Sequence, residues 1–241
     1  MLSTELIILL FAGLVTGFSK FSVGGMGMLI LPIIMIVYPG QQALGILLPM
    51  YLITDLLAVI SYRKHVNWAL LARLLPMCAL GIVAGGWLLS RLDSADFSVM
   101  LAIIIIAMLV MGIVLDTMKT SIMQHPLSTK ITGFIGGFIS LISNAAGPIF
   151  SLYFMEQKLS KEQYVSTRSW AFMCINLAKV PVLLSVGALT AETAMIGLQA
   201  LPGLVVGACI GFWFLSKLKL EAFKWLIRVM AGIAAIKLMV F

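Results

Sequence analysis

Residues 97–115 read FSVMLAIIIIAMLVMGIVL, an apolar run without a charged side chain. A run of about 20 apolar residues matches the roughly 30 Å hydrocarbon core of a bilayer. Similar runs recur along the chain, of whose 241 residues 62% are hydrophobic and only 10% are charged. Soluble domains are nearer half apolar and a quarter charged, as order-of-magnitude averages. The sequence therefore predicts an all-α polytopic membrane protein, which crosses the lipid bilayer of the cell inner membrane several times.

The net charge of +7 comes from basic residues in short loops between the apolar runs. Such loops are typical of the cytoplasmic side of membrane proteins, so we expect no nucleic-acid partner. The three cysteines lie singly inside apolar segments and the chain has only two histidines. We therefore predict no metal site and no cofactor. The first apolar run follows no basic segment, and we expect no cleaved signal peptide.

An internal repeat divides the chain. Residues 13–18 read GLVTGF, and residues 133–138 read GFIGGF. Further along, a second block matches in the same order: Pro76, Gly81 and Gly85 correspond to Pro202, Gly207 and Gly211. We predict a first membrane repeat over residues 1–116, a connecting loop over 117–127 and a second membrane repeat over 128–241.

Each predicted half begins with two short apolar segments, 5–18 and 25–37 in the first and 131–142 and 146–157 in the second. Six longer segments are each predicted to cross the membrane once: 43–62, 67–91, 97–115, 164–186, 190–216 and 222–241. If each short pair is one hairpin, most basic loop residues fall on one side of the membrane, as the positive-inside rule requires. We therefore predict two inverted repeats, each a re-entrant or broken helical hairpin plus three transmembrane helices. Both termini would lie outside the cytoplasm and residues 63–65 inside it.

The break in each hairpin is rich in small and polar residues. The candidate substrate-binding residues at the breaks are Ser19, Lys20, Ser22, Gly24, Gly25 and Gly27 in the first, and Ser143, Asn144, Ala145 and Gly147 in the second. Irregular backbone at membrane depth is tolerated only beside protein or a water-filled cavity. The second arm of each hairpin starts at its break, where free N–H groups favour an anion. We predict that the two breaks face one central cavity, with Pro148 in the first turn of its arm and Ser143 or Asn144 capping it.

Four ionisable residues lie inside apolar segments, where a charge costs several kcal/mol unless it is paired or hydrated. They are Lys20, Asp55, Arg168 and Lys179. Their excess of positive charge suits a small anionic substrate, and Asn176 and Lys179 join the candidate binding residues. Thr54, Asp55 and Arg168 are candidates for coupling to an ion, with Asp55 as a proton carrier. Two structural alternatives stay open: an ion pair of Lys179 with Asp55, and an Arg168 that extends to the cytoplasmic interface.

Pairs of glycines at GxxxG spacing predict close helix packing, because small residues let two helix backbones approach each other. These pairs are Gly13 and Gly17, Gly81 and Gly85, Gly133 and Gly137, and Gly207 and Gly211.

Residues 17–32, with Gly24, Gly25 and Gly27 before an apolar arm, resemble the first motif of the TauE/SafE family of sulfite-exporter-like permeases. Residues 144–148 resemble the counterpart of that motif in the second half, and the similarity covers nearly the whole chain. The resemblance implies transport of small sulfur-containing or organic anions, such as sulfite, sulfoacetate or other sulfonates. Ser19 and Lys20 depart from the family's pattern, which has apolar residues and glycine there, so the substrate stays open.

Together these features predict a secondary transporter for a small anion, sulfite or an organosulfonate, that works by alternating access with proton coupling as an option. A passive anion channel is the alternative, and a homodimer is left open. An intramembrane enzyme would need a nucleophile with a base, or metal ligands, at membrane depth, and neither histidine lies deep enough. No GxxxxGK[ST] motif is present to bind a nucleotide. We therefore expect that the chain is not an enzyme.

Overall fold

The computed structural model describes residues 3–21, 27–117 and 125–214, and within these ranges the chain forms ten α-helices and no strand. In chain order they are α1 Thr4–Phe21, α2 Gly27–Met35, α3 Gln42–Ser61, α4 Trp68–Leu89, α5 Ser94–Thr117, α6 Pro126–Ser143, α7 Gly147–Met155, α8 Lys161–Ser185, α9 Ala191–Leu198 and α10 Leu201–Phe214. The predicted segment 222–241 lies outside the described residues.

Four of the described helices, α1, α3, α4 and α5, are long and apolar enough to cross a membrane. α9 and α10 qualify together as a pair bent by 46°. α8 has 25 residues, and at about 1.5 Å per residue it is also long enough to cross. The chain is therefore an all-α polytopic membrane protein, as its sequence predicts.

The outer surface of the bundle is apolar. Val83 and Trp87 of α4 are 60% and 65% exposed, and Val110 of α5 is 55% exposed. Large exposed patches of this kind are rare on soluble monomers. In a bilayer the same side chains contact lipid, while the helices satisfy their own backbone hydrogen bonds.

The first arms of both hairpins are longer than the hydropathy predicts. α1 continues to Phe21, beyond the predicted segment 5–18, and α6 begins at Pro126 instead of residue 131. Polar residues such as Lys20 end an apolar run in the sequence. They do not end the helix, because Lys20 forms an ion pair with Asp55 on α3, and this pair stabilises its charge inside the bundle.

The second hairpin turns through a short break between α6 and α7. Asn144 ends α6 in the left-handed conformation, with φ 53°, and its N–H donates to the carbonyl oxygen of Ser140 at 3.2 Å. Pro148 lies in the first turn of α7, which confirms its predicted place. The predicted cap of α7 by Ser143 or Asn144 is wrong, because Ala146 occupies the cap position without a side-chain hydrogen bond. Ser143 instead donates to Ile139 in its own helix, at 2.9 Å.

The predicted crossing over residues 190–216 is not one straight helix, because the chain bends by 46° between α9 and α10. The two helices together are long and apolar enough for one broken span, so the single crossing stays a prediction. Pro202 lies in the first turn of α10. A proline has no N–H and cannot continue the hydrogen-bond ladder of a preceding helix. A new helix begins at Leu201, beside Pro202, whereas α4 runs through Pro76 without an interruption. A proline alone therefore does not decide the break.

The GxxxG glycines pack helices of the two halves together. A methyl group added at Gly17 of α1 would lie 2.1 Å from the carbonyl oxygen of Leu204 in α10. One added at Gly81 of α4 would lie 2.0 Å from the carbonyl oxygen of Phe134 in α6. These backbone contacts confirm the predicted packing role of the glycines.

The same two contacts relate the halves. α1 and α6 are the first arms of the two hairpins, and each packs against a later helix of the other half, α10 and α4 respectively. Two repeats related by a two-fold axis would form such a pair of equivalent contacts. The inverted orientation of the repeats in the membrane, and the boundaries at residues 116 and 128, stay predictions.

Candidate functional site

A central cavity of about 270 Å³ lies where the two hairpins meet α3 and α8. Gly27, at the start of α2, approaches the second break closely: a methyl group added there would lie 3.6 Å from the carbonyl oxygen of Asn144. The Tyr51 hydroxyl of α3 donates to the carbonyl oxygen of Gly27 at 3.4 Å. The residues that flank both breaks thus border one space.

Most of the predicted binding residues line this cavity. Those that do are Ser19, Lys20, Gly27, Asn144, Ala145, Gly147, Asn176 and Lys179. Arg168, predicted as a candidate for ion coupling, lines the cavity as well. Ser22, Gly24 and Gly25 lie outside the described residues. Ser143 is fully buried and does not line the cavity.

Asp55 is buried behind the cavity wall with both carboxylate oxygens held. Lys20 of α1 forms an ion pair with Oδ1, and the Asn176 amide of α8 donates to Oδ2 at 2.6 Å. The alternative that Lys179 forms an ion pair with Asp55 is therefore wrong, because the partner of Asp55 is Lys20. α1 extends far enough to bring Lys20 to Asp55, and Lys179 has another contact.

Lys179 joins α8 to the break of the second hairpin. Its ammonium donates to Oδ1 of Asn144 at 2.6 Å. Asn144 can present its side chain there because its backbone adopts the left-handed conformation that ends α6. Lys179 is only 2% exposed, so its charge lies in a nearly dry environment with a neutral amide as its hydrogen-bond acceptor.

Arg168 and Lys20 lie over one aromatic ring. The guanidinium carbon of Arg168 is 5.5 Å from the ring centroid of Phe172, and Nζ of Lys20 is 5.0 Å from it. Within the described part of the chain, Nε of Arg168 is buried and has no hydrogen-bond partner. A buried donor without a partner costs about 1–3 kcal/mol, which a ligand could recover. Arg168 therefore belongs to the cavity wall.

Thr54 does not reach the cavity. It is fully buried, and its hydroxyl donates to the carbonyl oxygens of Met50 and Tyr51 at 3.1 and 2.9 Å. This is the usual way for a threonine in an apolar helix to satisfy its own hydroxyl group. Thr54 therefore has a local structural role in the described contacts.

The structure also adds residues that the sequence analysis missed. Phe172, Tyr51, Thr16 and Ser140 line the cavity too. The signal for Phe172 was available, because Arg168, Phe172 and Asn176 recur every four residues and so share one face of a helix. The others belong to helices whose cavity-facing side only the packing defines.

The electrostatics of the cavity favour an anion. Among the described residues, three cationic side chains, Lys20, Arg168 and Lys179, line it, and Asp55, the one carboxylate beside it, is already paired. Gly27 and Gly147, the first residues of α2 and α7, also line it. The first turn of a helix carries free N–H groups and a partial positive charge.

Comparison with known proteins identifies the family of this chain. The sequence matches the profile of the family described as "Sulfite exporter TauE/SafE" over residues 9–238. No curated protein and no solved structure matches the chain. Because the match spans nearly all of its length, the chain belongs to the TauE/SafE family of membrane transporters.

Proposed function

We propose that this chain is a secondary transporter that carries a small anion, sulfite or an organosulfonate, across the cell inner membrane by alternating access. The observation that carries the proposal is the central cavity, with three cations against one buried and paired carboxylate. A charge buried in a membrane protein is expensive and in general marks a substrate or ion pathway.

The anion would bind between the two hairpin breaks. Arg168 offers a guanidinium at the cavity wall, and Lys179 offers an ammonium whose acceptor is only a neutral amide. Hydrogen bonds from such charged donors to an oxyanion are about twice as strong as neutral ones. The first turns of α2 and α7, whose first residues Gly27 and Gly147 also line the cavity, would add backbone donors.

In the conformation described, the cavity would be open to the cytoplasm. It extends along α3 and α8 to Tyr62 and Val165, and a second cavity beside Arg63 and Lys64 shares these two residues. The positive-inside rule assigns this basic end to the cytoplasmic side. If both hairpins enter the membrane and return near its midplane, the two termini of the chain would lie on the non-cytoplasmic side.

A thermal-shift screen of the detergent-purified protein tests the proposal. We expect sulfite or an organosulfonate such as sulfoacetate to raise the melting temperature more than sulfate, thiosulfate, taurine or short carboxylates do. A ligand at about 100 times its Kd stabilises the fold by about 2.7 kcal/mol. Lys179→Met should reduce the shift, whereas Arg91→Met should keep it, because Arg91 lies at the surface over Trp87. If none of these anions shifts the melting temperature, the proposal fails.

Reconstituted liposomes separate a transporter from the alternative, a passive anion channel. A transporter that alternates between two sides should accelerate uptake of labelled sulfite when unlabelled sulfite is present inside, and its rate should saturate. An unsaturable flux without this exchange would support the channel instead.

A further inference from the structure

Lys20 and Asp55 form an ion pair, but they differ in whether an anion in the cavity can reach them. Lys20 lines the cavity and keeps 20% of its side chain exposed. Asp55 is fully buried and is not part of the cavity lining. An anion in the cavity can therefore approach Lys20 but not Asp55.

Lys20 is the one ion-pair partner of Asp55 in the described part of the chain. Tyr51 on its own helix, and Cys174 and Lys179 on α8, also interact electrostatically with Asp55. Lys179 donates to Asn144 instead, and Asn176 supplies a neutral hydrogen bond to Oδ2. If Lys20 moved away, Asp55 would keep one hydrogen bond and lose its counter-ion.

We propose that the substrate anion takes the ammonium of Lys20 from Asp55, and that Asp55 then takes up one proton, so that anion and proton bind together. The inference rests on the proposed anion transport and adds the coupling step to it. Lys20 lies in the last turn of α1, and its flexible four-carbon stem allows its ammonium to move between two nearby acceptors. A buried carboxylate without a counter-ion is neutralised by a proton, because water no longer stabilises its charge.

The step balances in atoms and charge. The ion pair at Oδ1 of Asp55 breaks, and an O–H bond forms at the same oxygen with a proton from water in the cavity. The anion adds one negative charge to the site and the proton adds one positive charge. The net charge of the occupied site therefore equals that of the empty one, which lowers the electrostatic cost of carrying the anion across the bilayer. Release of the anion returns Lys20 to Asp55 and the proton to water.

Calorimetry measures the proton directly. Methanesulfonate and 2-hydroxyethanesulfonate are suitable probes, because each keeps one negative charge across mildly acidic and alkaline pH. Titrations of the purified protein in two buffers with different ionisation enthalpies give the number of protons taken up. We expect the uptake of about one proton per anion. At alkaline pH the apparent Kd for the anion should rise about tenfold for each pH unit of increase, because anion binding and protonation favour each other reciprocally.

Two variants assign the proton to Asp55. Asp55→Asn keeps a polar partner for Lys20 but cannot take up a proton, so we expect anion binding without proton uptake and without pH dependence. Its affinity should also be higher than that of the wild type, since a charged competitor for Lys20 is gone. Asp96→Asn is the matched control: Asp96 is an exposed carboxylate at the start of α5, and its removal should leave the proton count unchanged.

The outcomes are distinct. Binding of a sulfonate to the wild type without proton uptake would overturn the coupling step and leave anion transport standing. Proton uptake that persists in Asp55→Asn would also overturn it, because another group would carry the proton. If Asp55→Asn does not fold, the wild-type proton count still decides. If neither the sulfonates nor sulfite bind at all, the proposed function fails together with this inference.

Discussion

Replacing Lys179 by methionine should leave the stability of the protein unchanged or raised, whereas the same replacement of Lys20 should lower it. Both lysines line the same cavity, and methionine keeps most of the apolar stem of either. They differ in their partners, because Lys20 neutralises the fully buried Asp55. Lys179 donates to the neutral amide of Asn144.

The magnitudes follow from these contacts. Lys20→Met leaves Asp55 buried without its counter-ion, which costs about 3–5 kcal/mol. For a chain of this size that corresponds to roughly 6–20 °C in melting temperature. Lys179→Met leaves Oδ1 of Asn144 without a donor, which costs about 1–3 kcal/mol. It also removes an ammonium that is only 2% exposed, and the burial of that charge costs several kcal/mol. The stabilisation from removing the charge therefore equals or exceeds the cost of the lost hydrogen bond.

Thermal melting of the purified variants without anion checks the difference. A second change tests the cause: Lys20→Met combined with Asp55→Asn should recover the stability lost in Lys20→Met alone, because no buried charge is then left unpaired. Anion affinity should fall about 10- to 150-fold in Lys179→Met, the loss expected for one charge-assisted hydrogen bond of about 1.5–3 kcal/mol. Equal destabilisation by the two lysine replacements would refute the reasoning from their partners.

Two further predictions concern packing and topology. Gly17→Ala should destabilise the bundle by about 1–3 kcal/mol or more, because its methyl group would lie 2.1 Å from the carbonyl oxygen of Leu204. A methyl group added at Gly112 of α5 would meet no other heavy atom of the described residues within 4 Å, so Gly112→Ala should be neutral or slightly stabilising in the same melting assay, because alanine favours a helix more than glycine does. A single cysteine at Ser3, in a background without the native cysteines, should react with an impermeant reagent from outside the cell, and one at Asn67 only from the cytoplasm. Labelling of Ser3 only from the cytoplasm would exclude the inverted hairpins.

Hydropathy and glycine spacing predicted much of the architecture, because these properties depend on the solvent and on local geometry. In a bilayer, long uncharged runs must become helices to satisfy their own backbone. The GxxxG pairs predicted where helices would touch, since only a residue without a side chain permits such an approach at Gly17 or Gly81. The break at Asn144 was predictable as well, because asparagine tolerates the left-handed conformation and Pro148 begins the next helix.

The length of α1 and the bend between α9 and α10 could not be read from the same patterns. Hydropathy ends the first segment before Lys20, but an ion pair with Asp55 on α3 stabilises the charge and lets the helix continue. The sequence contains Pro76 and Pro202 at matching places, yet only the second lies at the start of a new helix. Neither outcome depends on the local sequence alone.

By itself the sequence determined that this protein lies in the membrane, that its hairpins break at small polar residues, and that buried cations outnumber carboxylates. Only the tertiary structure decided which cation pairs with Asp55. The sequence analysis weighed Lys179 as that partner, and the packing brings Lys20 there instead, while Lys179 contacts Asn144. The physical reason is that a buried pair forms only within about 4 Å. That distance depends on how far α1 extends into the bundle and on how α1 and α8 pack against α3, and these are properties of the packed helices together.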